Sequence, residues 1–127
     1  SGFESADGKS FVYRSRFDRR GTPLLIVPLD GGTPAQLVEC MYGFSVGSKG
    51  IYYYACRSDR FAWTMTQSEP LDLHVLDAAT RRDRQIGSLV GVADRFWGPV
   101  VSPDGAHFLY AKAAVTAGDL MMIENFR

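Results

Sequence analysis

Two stretches near opposite ends of the chain carry the same phrase, and that repetition limits the available folds more than any other feature. The first is Ser5-Ala6-Asp7-Gly8-Lys9-Ser10-Phe11-Val12-Tyr13; the second is Ser102-Pro103-Asp104-Gly105-Ala106-His107-Phe108-Leu109-Tyr110. In the second, Val100-Val101 leads into the turn and Phe108-Leu109-Tyr110 leads out. Proline fixes φ at one corner, and glycine accepts the positive φ at the other without a Cβ clash. Two apolar runs joined in this way read as a β-hairpin.

The repetition runs through the whole chain. Leu29-Asp30, Leu76-Asp77 and Glu124-Asn125 recur at spacings of 47 and 48 residues. Each ends a β-rich run: Leu24 to Leu29, Leu71 to Leu76, and Leu120 to Ile123. Upstream of each stands an aromatic strand: Phe11-Val12-Tyr13, Ile51-Tyr52-Tyr53-Tyr54 and Phe108-Leu109-Tyr110. After the first two anchors come turn residues and another short strand, Ala35 to Cys40 and Arg84 to Leu89. Short strands and frequent Gly, Pro and Asp turns leave little room for a helix. Each unit therefore reads as four antiparallel strands, A to D, and a four-stranded repeat of roughly 40–50 residues is a β-propeller blade. The expected fold is all-β, a β-propeller fragment of about three four-stranded antiparallel blades. Their bounds are about 1–40, 41–89 and 90–127, and the last blade lacks its fourth strand, so eleven strands are expected.

Several of these phrases resemble a known family. Ser-x-Asp-Gly ahead of a Phe/Leu-x-Tyr strand, Val27-Pro28-Leu29-Asp30-Gly31-Gly32, and Lys49-Gly50-Ile51-Tyr52-Tyr53 resemble TolB-like, WD-type propeller repeats. The ending Asp119-Leu120-Met121-Met122-Ile123-Glu124-Asn125-Phe126-Arg127 resembles the C-terminal end of propellers in bacterial multidomain sensor and regulator proteins, where a winged-helix or protein kinase domain comes first. The second unit departs from the pattern, with Val46-Gly47-Ser48-Lys49-Gly50 in place of Ser-Pro-Asp-Gly. The resemblance implies a binding or signalling module and a parent with more than three blades.

Composition excludes some partners. Fourteen basic and fourteen acidic residues cancel, so no global field recruits nucleic acid or an acidic membrane. No apolar run reaches the roughly 20 residues of a membrane helix, and no stretch of the given residues is expected to act as a signal peptide. The opening Ser1-Gly2-Phe3 is expected to be a boundary inside a longer protein, with room for a targeting or anchoring segment ahead of it. A periplasmic location is expected if the parent is a membrane-anchored sensor, and a cytoplasmic one otherwise. Cys40 and Cys56 lie in separate apparent strands without C-x-x-C spacing and read as two small, partly buried thiols rather than a disulfide.

Three constellations invite a catalytic or metal reading. Gly43-Phe44-Ser45-Val46-Gly47 matches the G-x-S-x-G nucleophile elbow, but that motif needs a helix after the serine, and here a strand follows. His74 and His107, the two histidines, fall at different positions of the repeat, whereas zinc needs three or four converging ligands. Asp7 and Asp104 align as turn residues, where a carboxylate accepts backbone N–H groups. No catalytic residue, cofactor or metal is assigned.

The loops between strands B and C, and between D of one unit and A of the next, leave a propeller on the same face. Arg14-Ser15-Arg16-Phe17-Asp18-Arg19-Arg20 forms the first B–C loop, and the long insertion Arg57 to Pro70 forms the second. Arginine with exposed aromatics is the composition of binding hot spots. The candidate binding residues are Arg16, Arg19, Arg20, Arg60, Phe61, Trp63, Arg95 and Trp97. The expected function is a non-catalytic binding or sensing module that meets a protein, peptide or small ligand on this loop face. The alternative is a propeller that gates a hydrolase or peptidase domain. Three blades also leave a bare face at each end, so two copies closing a six-bladed ring are expected.

Overall fold

The computed structural model describes residues 2–16, 20–56, 70–92, 95–112 and 119–124, with side chains through residue 110. Ten strands follow in order: β1 (Gly2–Glu4), β2 (Ser10–Arg14), β3 (Thr22–Pro28), β4 (Ala35–Gly47), β5 (Gly50–Ala55), β6 (Leu71–Asp77), β7 (Arg82–Leu89), β8 (Val100–Val101), β9 (His107–Lys112) and β10 (Asp119–Glu124). Each pairs antiparallel with its sequence neighbour within a seven-stranded sheet, β1 to β7, and a three-stranded one, β8 to β10. No helix occurs among the described residues, and so none is long and apolar enough to cross a membrane.

The eleven expected strands become ten for one reason. Strand D of the first unit and strand A of the second are the two halves of β4, which runs 13 residues without a break. Its first half pairs with β3 and its second with β5, and the pairings change over at Met41. Register shifts flank that corner, between Thr22 and Leu25 on β3 and between Met41 and Phe44 on β4. Bulges of this kind bend and twist a strand. Here they let one strand leave one unit and enter the next.

Successive side chains of a strand point to opposite faces, and the middle unit uses both. Ile51 and Tyr53 join Val12, Leu24, Met41, Phe44 and Leu76 in a cluster between the first and second units. Tyr54, Leu71, Leu73 and Leu89 join Tyr42, Val92, Phe108 and Tyr110 in a second cluster between the second and third. Every residue from Ile51 to Tyr54 is consequently buried. The outer units bury one face only. Beside buried Val12, Phe11 is 37% exposed; beside buried Phe108, Leu109 is 36% exposed and its cross-strand neighbour Val100 is 66% exposed.

Close backbone approach locks the third unit onto the second. A Cβ on Gly98 would fall inside the backbone of Phe44, and one on Gly43 would lie 2.7 Å from the Arg95 carbonyl oxygen. Ser45 Oγ donates to the Pro99 carbonyl, and Ser48 Oγ donates to that of Pro103 at 2.8 Å. The atypical turn of the second unit thus grips the turn of the third. Ser45 sits mid-strand, with β5 directly after the turn, so its G-x-S-x-G setting is not a nucleophile elbow.

The two Ser-x-Asp-Gly turns are superimposable in their bonding. Ser5 Oγ donates to Asp7 Oδ1 at 2.7 Å, and Ser102 Oγ to Asp104 Oδ1 at 2.6 Å. The same carboxylate oxygens accept the N–H of Lys9 (3.0 Å) and of Ala106 (2.9 Å). Gly8 and Gly105 take φ of 72° and 70°. The serine hydroxyls first, and then the backbone donors, hold both carboxyls below their ordinary 3.8. A depressed folded-state pKa stabilises above the unfolded value, and that contribution is lost as pH falls through the folded one. We expect the urea midpoint to fall on acidification from about pH 5 to about pH 2. The double variant Asp7→Asn/Asp104→Asn should flatten that limb, and an unchanged limb would show that the turns do not titrate with folding.

Candidate functional site

The loop end of the arc is organised by Arg14, the last residue of β2. Its guanidinium donates through one nitrogen to the Tyr42 carbonyl at 3.1 Å and through the other to the Phe96 carbonyl at 2.9 Å. Tyr42 lies just past the β4 corner, and Phe96 lies on the connection into the third unit. One side chain therefore joins all three units where their loops emerge. A charged donor on two carbonyls is a strong form of hydrogen bond, worth about 1.5–3 kcal/mol when partly shielded. Arg95, half-buried, stands with its guanidinium carbon 6.0 Å from the centroid of the buried Tyr42 ring, in cation–π range.

Cys40 and Cys56 form a disulfide, with Cα atoms 5.5 Å apart, which corrects the reading as free thiols. They flank the β4–β5 hairpin one step beyond the Met41–Ala55 pair, so the hairpin itself brings them face to face. Gly21 of the first B–C loop leaves the room they need, since a Cβ there would strike both sulfurs. The bridge thereby ties the hairpin mouth of the second unit against the loop of the first.

Four candidate binding residues are placed. Arg16 and Arg20 are exposed on the first B–C loop, Arg95 lies over Tyr42, and Trp97 beside it is 67% exposed. The Arg14 and disulfide contacts bring their loops to one end of the molecule. Arg19, Arg60, Phe61 and Trp63 lie outside the described residues.

The polar cluster of the second unit runs from the buried Tyr53 to the exposed Asp83. Tyr53 Oη donates to Asp83, whose other oxygen stands 2.9 Å from His74 Nδ1. Burial first, and Asp83 second, push the Tyr53 hydroxyl far above its ordinary range; burial first, and Tyr110 second, do the same for Tyr54. No group of three or more potential metal ligands occurs among the described residues. The structure also shows what the sequence did not flag. Two grooves open at the opposite, turn end, one of about 350 Å³ between the first and second units and one of about 770 Å³ between the second and third.

No family model and no curated protein matches the chain. Solved structures do. TolB from Acinetobacter baumannii aligns with a TM-score of 0.63 and 18% identity, over 92% of this chain and 28% of that one. The fold is a TolB-like β-propeller arc. A putative TolB from Agrobacterium tumefaciens aligns at 0.61 and 17% identity, over 94% of this chain and 40% of its own length. The tricorn protease aligns at 0.55 and 15% identity, over 98% of this chain and 14% of its own. The arc thus spans well under half of each of these propeller-containing chains, and at such identities the likeness is one of fold.

Removing the disulfide from the arc has a definite expected cost. Its two ends are 16 residues apart, and closing a loop of about 15 residues contributes about 3 kcal/mol. Cys40→Ser/Cys56→Ser should lose about that much in urea unfolding, and reductant should destabilise the wild type but not the variant. Equal stability of the two proteins under oxidising conditions would show that the bridge is dispensable.

Proposed function

We propose that the arc is a non-catalytic binding or sensing module that takes a protein or peptide partner at its loop end. The observation that carries this reading is a rigid frame presenting an unburied anchor. Arg14 ties the end of β2 to the β4 corner and to the connection into the third unit, the Cys40–Cys56 bridge closes the hairpin mouth beside it, and Trp97 stays two-thirds exposed. Exposed Trp and Arg on a preorganised base are what hot spots are made of. TolB-like propellers among the solved structures support a protein-interaction role. The likeness to the tricorn protease supports a second reading, a propeller that gates a hydrolase domain; sequence upstream of Ser1 encoding such a domain decides between them. A formed disulfide favours an oxidising compartment such as the periplasm.

Panning a random-peptide display library against the chain tests the loop end. Enriched peptides should bind Trp97→Ala at least about tenfold more weakly, the loss expected at a hot-spot tryptophan. Trp97 is exposed, so the variant should fold normally. Peptides indifferent to both Trp97→Ala and Arg16→Gln would place recognition elsewhere.

The bare end faces support ring closure. Phe11 on the first unit, and Val100 and Leu109 on the third, present apolar surface that a further blade would cover. Two copies closing a six-bladed ring would bury both faces at once. Light scattering at micromolar concentration should then return a mass near twice 14.1 kDa. A sharp monomer that unfolds cooperatively would exclude the dimer.

A further inference from the structure

The larger groove lies between the second and third units, at the end opposite the loops. Tyr52, Val75 and Ile86 supply its apolar wall, Lys49, Arg82 and Arg84 its cations, and Asp77 and Asp83 line it too. Strand register explains the grouping. Tyr52 pairs with Val75 and Val75 with Arg84, so one cross-strand row runs from ring to guanidinium. Arg82, two residues earlier on β7, shares the face. Lys49 reaches in from the atypical turn, its stem lying across Gly105, where a Cβ would come within 2.8 Å of Cδ.

The carboxylates near this charge are already committed. Asp77 Oδ1 accepts the N–H groups of Ala79 (2.9 Å) and Thr80 (3.3 Å). Asp83 turns its carboxylate to the other face of the sheet, where it meets Tyr53 and His74. Asp104, on the same turn as Gly105, accepts from Ser102 and Ala106. Neither guanidinium has a hydrogen-bond or ion-pair partner among the described residues. The volume, about 770 Å³, is that of a small-molecule site.

We propose that this groove binds a small organic anion, its charged head held by Arg82, Arg84 and Lys49 and its apolar body laid on Tyr52, Val75 and Ile86. Guanidinium groups meet carboxylate and phosphate alike through paired N–H donors, so the shared chemistry is an anionic head on an apolar body. The site is separate from the loop end and does not depend on what binds there.

Calorimetric titration of the full chain with phenyl phosphate and 4-phenylbutyrate tests it, with inorganic phosphate and phenethyl alcohol as the head and the body alone. At least one of the two amphiphilic anions should bind with a dissociation constant of roughly 1 mM or tighter, as expected for ligands of this size. The better of the two assigns the head as phosphate or carboxylate. Both half-probes should bind at least about tenfold more weakly, and Arg82→Gln/Arg84→Gln should cost a similar factor. Those arginines are exposed, so the variant should keep its fold, and Trp97→Ala should bind the anions as the wild type does. Absence of binding by both anions, inorganic phosphate binding as tightly as they do, or full binding by the double variant would overturn the proposal.

Discussion

A short antiparallel sheet with apolar side chains on both faces has no stable existence in water until something covers each face. That constraint governs the molecule. The run Ile51-Tyr52-Tyr53-Tyr54 is its plainest expression, because alternate residues serve alternate neighbours and all are buried. Burying side chains of this size contributes about 1.5–3 kcal/mol each, so the middle unit is held by its neighbours more than by its own hydrogen bonds. Connections must then be short and corners tight. The approach of Gly98 to Phe44 and the corner in β4 both follow from sheets stacked this closely.

Polar contacts act on that stack as locks at its two ends. At the loop end, Arg14 satisfies two carbonyls that the stacking would otherwise leave beside an apolar cluster, and the disulfide fixes the hairpin mouth. At the turn end, Ser48 and Lys49 reach over Pro103 and Gly105. Among the described residues, the loop end is therefore cross-linked beneath exposed side chains, and the turn end retains open grooves. A ligand docking at either end would meet a base already cross-linked, which would lower the entropic cost of association.

Much of the fold was legible because turn chemistry is local. Ser-x-Asp-Gly needs only its own four residues and the next two, and both copies formed the hydrogen bonds expected of them. Strand positions followed from the apolar and aromatic runs that recur between those turns. The disulfide was also within reach, because Cys40 and Cys56 stand at nearly equal distances from the turn at Ser48-Lys49. Reading them strand by strand hid a relation that belongs to the hairpin as a whole. The part played by Arg14 was not legible in that way. Its partners, Tyr42 and Phe96, are 28 and 82 residues away and are contacted through backbone oxygens, which carry no side-chain signature. The turn-end groove was hidden for a related reason, since Gly105 and Ala106 of the third unit close its side only once two units are stacked.

The unbroken β4 strand bears on how such an arc could grow or be rearranged. A new unit spliced in at the repeat boundary, between Cys40 and Met41, would sever a strand in mid-ladder and orphan its hydrogen bonds. The exposed turn at Gly31–Pro34, by contrast, can be opened or joined without disturbing any pairing. The cassette that can be duplicated, deleted or circularly permuted therefore runs from one C–D turn to the next. Its boundaries are offset by one strand from the blade seen in space, so the genetic unit and the structural unit of this arc are not the same segment.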